Sequence, residues 1–251
     1  QTQLSYGAKM TRPSYYMLAS NVQYDDQYTY EGGNPLLQPS IYHNLNLEMM
    51  YEWIYFAAGY VHKNDEILNI DKPYNNNAIL FTYANIDKVE EINAMLSLSP
   101  RFGCWEPTYS VSVNKQFLDN KLIRVTEKLE KPMFLFKLNN SFSLPQKWII
   151  GINYSYNTSG HSGAILVKRS NRLDLRINKN FLRNQLSLSL QANDIFKSSY
   201  NSSIYYGNNM SMNIRNYSDS RNFQVSIVYR FNYTRSKYKG DGAGEDEKER
   251  F

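Results

Sequence analysis

Side chains able to do chemistry are few and scattered in this sequence. The three histidines, His43, His62 and His161, lie far apart along the chain and share no metal-ligand spacing with the lone Cys104. Ser159-Gly160-His161-Ser162 sets two hydroxyls beside an imidazole, the raw material of a hydrolase. A serine nucleophile also needs an oriented base and an oxyanion hole, and adjacency in sequence supplies neither. The plainer reading of this segment is a flexible polar loop. Asp241-Gly-Ala-Gly-Glu-Asp-Glu lacks the alternating acids that precede the glycine in a calcium loop. No phosphate-binding glycine loop is present. The sequence therefore reads as a non-enzyme without metal or cofactor.

Recognition is better served. The chain has 22 Tyr and 12 Phe among 251 residues, and 29 Asn. Residues 11–40 break all regular patterning, carry Pro13, Gly32-Gly33, Pro35 and Pro39, and are dense in tyrosine. A loop this long is uncommon and usually functional. Tyrosine offers a large apolar face and one hydroxyl at low entropic cost, so Tyr24, Tyr28 and Tyr30 are the candidate ligand-binding residues.

The elements that must position such a loop alternate with period two. In Arg172–Phe196, Leu173, Leu175 and Ile177 oppose Asp174, Arg176 and Asn178; after Leu182-Arg183-Asn184, Leu186, Leu188 and Leu190 oppose Ser187, Ser189 and Gln191. This is an antiparallel hairpin with one apolar and one polar face. Similar runs occur at 3–10, 41–51, 54–70, 78–99, 109–114, 134–143, 148–156 and 223–231, which makes ten strands, the tenth pairing with a strand that continues past Phe196 to about Tyr206. Their connections alternate strictly. Short ones fall near 52–53, 100–107, 145–147 and 182–184; mostly longer or more polar ones fall at 11–40, 71–77, 118–131, 157–163 and 207–209.

All connections of one class thus lie at one end, as in a barrel spanning an outer membrane with short periplasmic turns and longer outer loops. The longest apolar run, Ile54–Val61, is far below the ~20 residues of a membrane helix. Mean hydropathy is −0.58, which a β-barrel tolerates because only alternate residues face lipid. Net charge is +5 with Lys and Arg scattered, so a nucleic-acid footprint is missing. The fold class expected is all-β, an antiparallel transmembrane β-barrel of about ten meander strands. The domains expected are a barrel segment over 1–232 and a polar periplasmic tail over 233–251. On this assignment Leu186, Leu188 and Leu190 face lipid, and residues such as Asn44, Asn46, Glu48, Asn139, Asn153, Arg176 and Arg230 face the lumen. A charge at Leu188 would then cost ~2–4 kcal/mol at the bilayer midplane, and much less at Ser187.

Several motifs gain specificity from their order and spacing along the chain. Gly33-Asn34-Pro35-Leu36-Leu37-Gln38-Pro39 resembles the GNPxLxP signature of TonB-dependent receptor barrels, and Arg12-Pro13-Ser14-Tyr15 is similar to the segment that precedes it. Leu186–Phe196, closing in Asn193-Asp194-Ile195-Phe196, looks like their penultimate strand. Asn140-Ser-Phe-Ser-Leu-Pro145 and the tail from Ser236 resemble the Bacteroidetes branch, the outer-membrane protein β-barrel family. The resemblance implies the C-terminal part of a receptor in the Gram-negative cell outer membrane, importing a glycan, a chelate or a similar nutrient. The partners it implies are outer-membrane lipid, an N-terminal plug domain, the remaining barrel strands, TonB-type energy coupling through that plug, and a possible surface lipoprotein. The family's transporters have 22 strands and a plugged lumen, whereas this sequence shows ten strands and no plug or signal peptide. A small closed ten-stranded barrel is geometrically allowed. Two rivals remain: a small barrel with a hydrolase at its rim, and a soluble β-rich adhesion domain.

Overall fold

The computed structural model describes residues 1–75, 77–118, 128–207 and 210–231. The tail expected at 233–251, with its acidic segment at 241–247, lies outside them. In chain order the strands are β1 (Thr2–Thr11), β2 (Val22–Tyr24), β3 (Thr29–Gly32), β4 (Ser40–Tyr51), β5 (Ile54–Asn75), β6 (Ala78–Leu98), β7 (Trp105–Leu118) and β8 (Met133–Leu144). They continue as β9 (Trp148–Asn157), β10 (Gly160–Ser162), β11 (Ile165–Val167), β12 (Ser170–Phe181), β13 (Leu186–Asn193), β14 (Tyr200–Gly207), β15 (Met210–Tyr217) and β16 (Asn222–Tyr229). One short helix, α1 (Tyr15–Leu18), lies between β1 and β2 and is capped by the Ser14 hydroxyl.

Ten strands form one antiparallel wall in the order β1-β4-β5-β6-β7-β8-β9-β12-β13-β16. Among the described residues the wall is open, with β1 and β16 at its two ends. Its register keeps like with like. One row across the wall reads Ile150, Ile177, Leu190, Val225, and the next reads Asn178, Ser189, Ser226, with Ile149 its apolar exception. The hairpin of β12 and β13 is as expected: Phe181 pairs Leu186 across a 3-10 turn in which Leu182, Arg183 and Asn184 all have positive φ.

Large apolar side chains on the wall are exposed rather than packed: Leu4 is 68% exposed, Val225 65% and Ile227 69%. A soluble sandwich would bury this face, because exposed apolar patches of such extent are rare on water-soluble monomers. Aromatics ring the short-turn end, where Tyr51, Trp53, Phe102, Trp148, Phe181, Tyr229 and Phe231 are all exposed. The buried apolar cluster lies at the other end. It joins Ile86, Val89, Leu118, Leu129 and Ala164, with Leu68, Ile70, Tyr205 and Tyr206 packed on it.

That cluster exists because the long connections fold. Segment 159–163 is not a flexible loop: β10 and β11 pair with each other, and β11 pairs β14, which pairs β15, in a separate four-stranded sheet. Nor does β13 run on to Tyr206. The chain turns at Asp194 (φ 45°), leaves the wall, and returns as β16. The Asp194 carboxylate fixes this corner, accepting from the amides of Ser198 (2.9 Å) and Ser199 (3.3 Å) and from the hydroxyls of Ser220 (2.7 Å) and Tyr217 (3.2 Å). Burial pushes this carboxyl up, but donation led by Ser220 and Ser198 outweighs it and holds the group below the usual range. Gly160 packs so closely on Met133 that a Cβ there would lie 2.6 Å from the Met133 Cα. β5 and β6 outrun the rest of the wall. At Asp65 (φ 53°) their alternation flips, so Lys63 and Val89 share the polar side with Glu66, Leu68 and Ile86 beyond it.

Candidate functional site

Two surfaces can meet a solute: the polar face of the wall and the elements of the long-connection end. On the wall, Asn139, Asn153 and Asp174 form one cross-strand row, with Gly151 and Arg176 paired beside it. Asn139, Asn153, Arg176, Asn178, Glu106 and Thr108 line a polar hollow of about 440 Å³. Asn139, Asn153 and Arg176, expected on the polar face, lie on it together. Neighbouring polar groups tie to one another: Arg172 Nε donates to Asp174 (2.8 Å), and Gln191 donates to Asn193, which donates to Asn222 (2.8 Å). Arg230 is different. Its amide donates to the Gln185 carbonyl and its guanidinium to the Asn184 carbonyl, so it closes the short turn rather than standing in the lumen.

Residues 11–40 are built around Asn34. Its side-chain amide donates to the Tyr83 carbonyl (2.9 Å), its carboxamide oxygen accepts from the Leu36 amide (3.0 Å), and its own backbone amide donates to Met17 (2.6 Å). Asn85 answers from β6: its side chain accepts from the Gln38 amide and donates to the Gln38 carbonyl. Gly33 is required by a close approach, since a Cβ there would lie 2.5 Å from the Ala19 carbonyl oxygen. These contacts carry β3 alongside β6 in parallel, Tyr30 against Leu80.

The tyrosines are displayed on that frame. Tyr24 and Tyr30 meet edge to face with centroids 5.6 Å apart. Tyr30 also meets Tyr74 at 4.6 Å. Tyr24 and Tyr74 are exposed, and Tyr28 stands exposed at the β2–β3 turn, its amide donating to Asp26 (2.7 Å). That amide, seconded by the Thr29 hydroxyl, holds the Asp26 carboxyl below its usual range. The structure therefore brings Tyr24 and Tyr30 together, keeps Tyr28 apart at the tip, and adds Tyr74, which sequence reading missed. Its signal was present: Tyr74 precedes the Asn-rich turn of a hairpin long enough to reach residues 22–32.

The remaining chemistry-bearing residues are engaged elsewhere. His161 is buried, its Nδ1 accepting from the Lys131 amide (3.0 Å) and its ring against Tyr206. Ser159 accepts from the Arg169 amide (3.1 Å). His43 and His62, remote in sequence, are cross-strand neighbours with ring centroids 6.2 Å apart. His43 pairs with the Tyr6 hydroxyl (2.8 Å), and His62 lies 3.0 Å from Asn64 and 3.6 Å from Glu90. Cys104 is exposed in a short turn.

The model of the outer membrane protein beta-barrel family matches residues 1–229. No curated protein sequence matches the chain. Among solved structures it is similar to the siderophore receptor PirA from Pseudomonas aeruginosa, at 12% identity and a TM-score of 0.57 over 90% of this chain and 38% of that one. The outer membrane receptor FpvA from Pseudomonas aeruginosa PAO1, bound to pyoverdine, gives 13% and 0.57 over 92% and 34%. The copper transporter OprC gives 11% and 0.58 over 91% and 38%. The chain thus spans between a third and two fifths of the length of these proteins, and the likeness is one of fold.

Proposed function

The chain belongs to the outer membrane protein β-barrel family, and from that premise we propose that it is part of the wall and outer loops of a larger nutrient importer. It is an antiparallel β-barrel protein of the outer membrane, and the proposal concerns what that barrel does. The observation that carries the reading is the open ten-stranded wall with β1 and β16 at its ends. An unpaired strand edge is costly in a bilayer, where backbone groups find no water. Further strands of the same barrel would satisfy both edges, and an N-terminal plug would fill the lumen that the polar face lines. Uptake would then be energised through the plug by TonB-type coupling.

The nutrient binds from outside at the aromatic platform of Tyr24, Tyr30 and Tyr74, with Tyr28 at its edge. A glycan or a chelate suits such rings; the similar structures are a siderophore receptor, a receptor bound to pyoverdine and a copper transporter. The reading includes no catalytic step: Ser159 accepts from the Arg169 amide and His161 Nδ1 from the Lys131 amide. The test is uptake by cells expressing the intact protein, with and without collapse of the proton-motive force. Energy-dependent uptake lost in the Tyr24→Ala/Tyr30→Ala/Tyr74→Ala variant is the expected result. Uptake and ligand binding unchanged by that variant, or a protein that fractionates without detergent and shows no heat-modifiable migration, would refute it.

A further inference from the structure

A second hollow, about 470 Å³, lies between the polar face of the wall and the four-stranded sheet of β10, β11, β14 and β15. This volume falls within the ~300–1,000 Å³ of small-molecule sites. Met133 and Leu135 line it from the wall, and Ile165, Val167 and Ile214 from the small sheet. The two wall residues break the rule of their own face, since the same side of β8 continues as Lys137, Asn139 and Ser141. Apolar side chains placed on the water-filled side of a barrel gain nothing from lipid. They gain from an apolar body set against them, at roughly 25 cal/mol per Å² of apolar surface removed from water.

The polar groups at the hollow are mostly neutral. Asn201 and Asn216 face each other across β14 and β15, and both line the space. Lys168 is the charged residue of the lining, and its ammonium donates to Asn213 (3.0 Å). A cation entering here would lose hydration and meet only the Lys168 ammonium, and a multiply charged anion would find a single countercharge, so a neutral solute suits the lining best. The site is also held open in advance. Gln116, 2% exposed, donates to the carbonyls of Leu129 (2.7 Å) and Gly163 (2.8 Å) and accepts from the Gly163 amide (2.7 Å), pinning the β10–β11 hairpin to the wall.

We propose that this hollow binds an uncharged amphiphile, a small solute with an apolar body and neutral hydrogen-bonding groups that face Asn201 and Asn216. The proposal rests on the importer reading for the route by which the solute arrives, and not for the binding itself. The probe is N-phenyl-1-naphthylamine, two apolar ring systems joined by one N–H, titrated into vesicles that hold the intact protein, with protein-free vesicles as baseline. A saturable component above lipid partitioning is expected. Ile214→Trp, which fills the hollow, should weaken it at least tenfold, and so should Ser203→Leu, a smaller intrusion that spares the fold if the first does not. The cationic competitor N,N,N-trimethyl-1-naphthylammonium, which would meet the Lys168 ammonium, should not displace the neutral dye. Heat-modifiable migration identifies the variants that are folded. No saturable binding of the neutral dye by the wild type, displacement of that dye by the cationic competitor at equal concentration, or undiminished binding in both folded variants would overturn the proposal. Saturable binding alongside absent energy-dependent uptake would instead overturn the importer reading alone.

Discussion

A cation introduced on the apolar face should cost an amount set by its depth, and the structure supplies the depth. Leu188 shares a row with Trp148, Lys179 and Ile227. Lys179 is a natural cation on the lipid side, tolerated because its ammonium reaches the Gln146 carbonyl of the short turn (2.5 Å) and lies over the Trp148 ring (4.8 Å). On the importer reading that row would lie at the membrane boundary of the short-turn end, where the sequence pattern alone had suggested the midplane for Leu188. Leu175 lies four residues from Lys179 along β12. At ~3.4 Å per residue and a tilt of ~45°, it sits ~10 Å deeper, close to the centre of a ~25 Å apolar band. Leu175→Arg should destabilise the folded protein by ~2–4 kcal/mol, and Leu188→Arg by ~0–1 kcal/mol. Asn178→Arg, on the polar face between them, should fall within ~0.5 kcal/mol of wild type. The assay is reversible denaturant unfolding in lipid vesicles, comparing midpoints at constant slope. Equal costs at Leu175 and Leu188 would refute the depth assignment, and equal costs at Leu175 and Asn178 would refute the two-faced wall.

Asn140 faces the apolar side, in the row of Ile152 and Leu175, where its side-chain oxygen accepts from Trp105 Nε1 (3.0 Å) and the Tyr109 hydroxyl (3.4 Å). Asn140→Leu should therefore lose ~1–3 kcal/mol in the same unfolding assay although it is more apolar, because two donors are left unpaired. Gly33→Ala should undock residues 11–40, seen as new protease cleavage within 19–33 on intact cells; unchanged resistance would remove the close-packing argument. The folded Asp194 carboxyl titrates below its ordinary 3.8, so its contribution is fully present above that value and is lost as pH falls through the lower folded value. Protection of the Ser198 and Ser199 amides, relative to their intrinsic exchange at each pH, should fall over that window, and Asp194→Asn should show low protection that changes little with pH.

Much of the wall was legible because a period-two pattern is local: each of β1, β4, β8, β9, β12, β13 and β16 declares its two faces within ten or so residues. What escaped depends on partners distant in sequence. β10 and β11 have three residues each, too few for alternation to register, and they exist only because β14 and Gln116 hold them. The change of face in β5 hangs on one positive φ at Asp65, which an ordinary Asp does not advertise. Lys179 and Asn140 violate the apolar side and are satisfied by turn and cross-strand groups that no linear reading connects. The tyrosine site was half legible: Tyr24 and Tyr30 share a hairpin, while Tyr74 joins them from 44 residues downstream of Tyr30.

The small sheet also changes what an antibody or a phage would see. Its strands come from two separate excursions of the chain, 160–167 and 200–217, fastened to a third element by the Tyr205 hydroxyl and Asp71 (3.3 Å). The outward surface at this end is therefore a discontinuous epitope. Sera raised against folded protein should lose recognition on boiling, and an escape substitution in one excursion should select compensating change in the other.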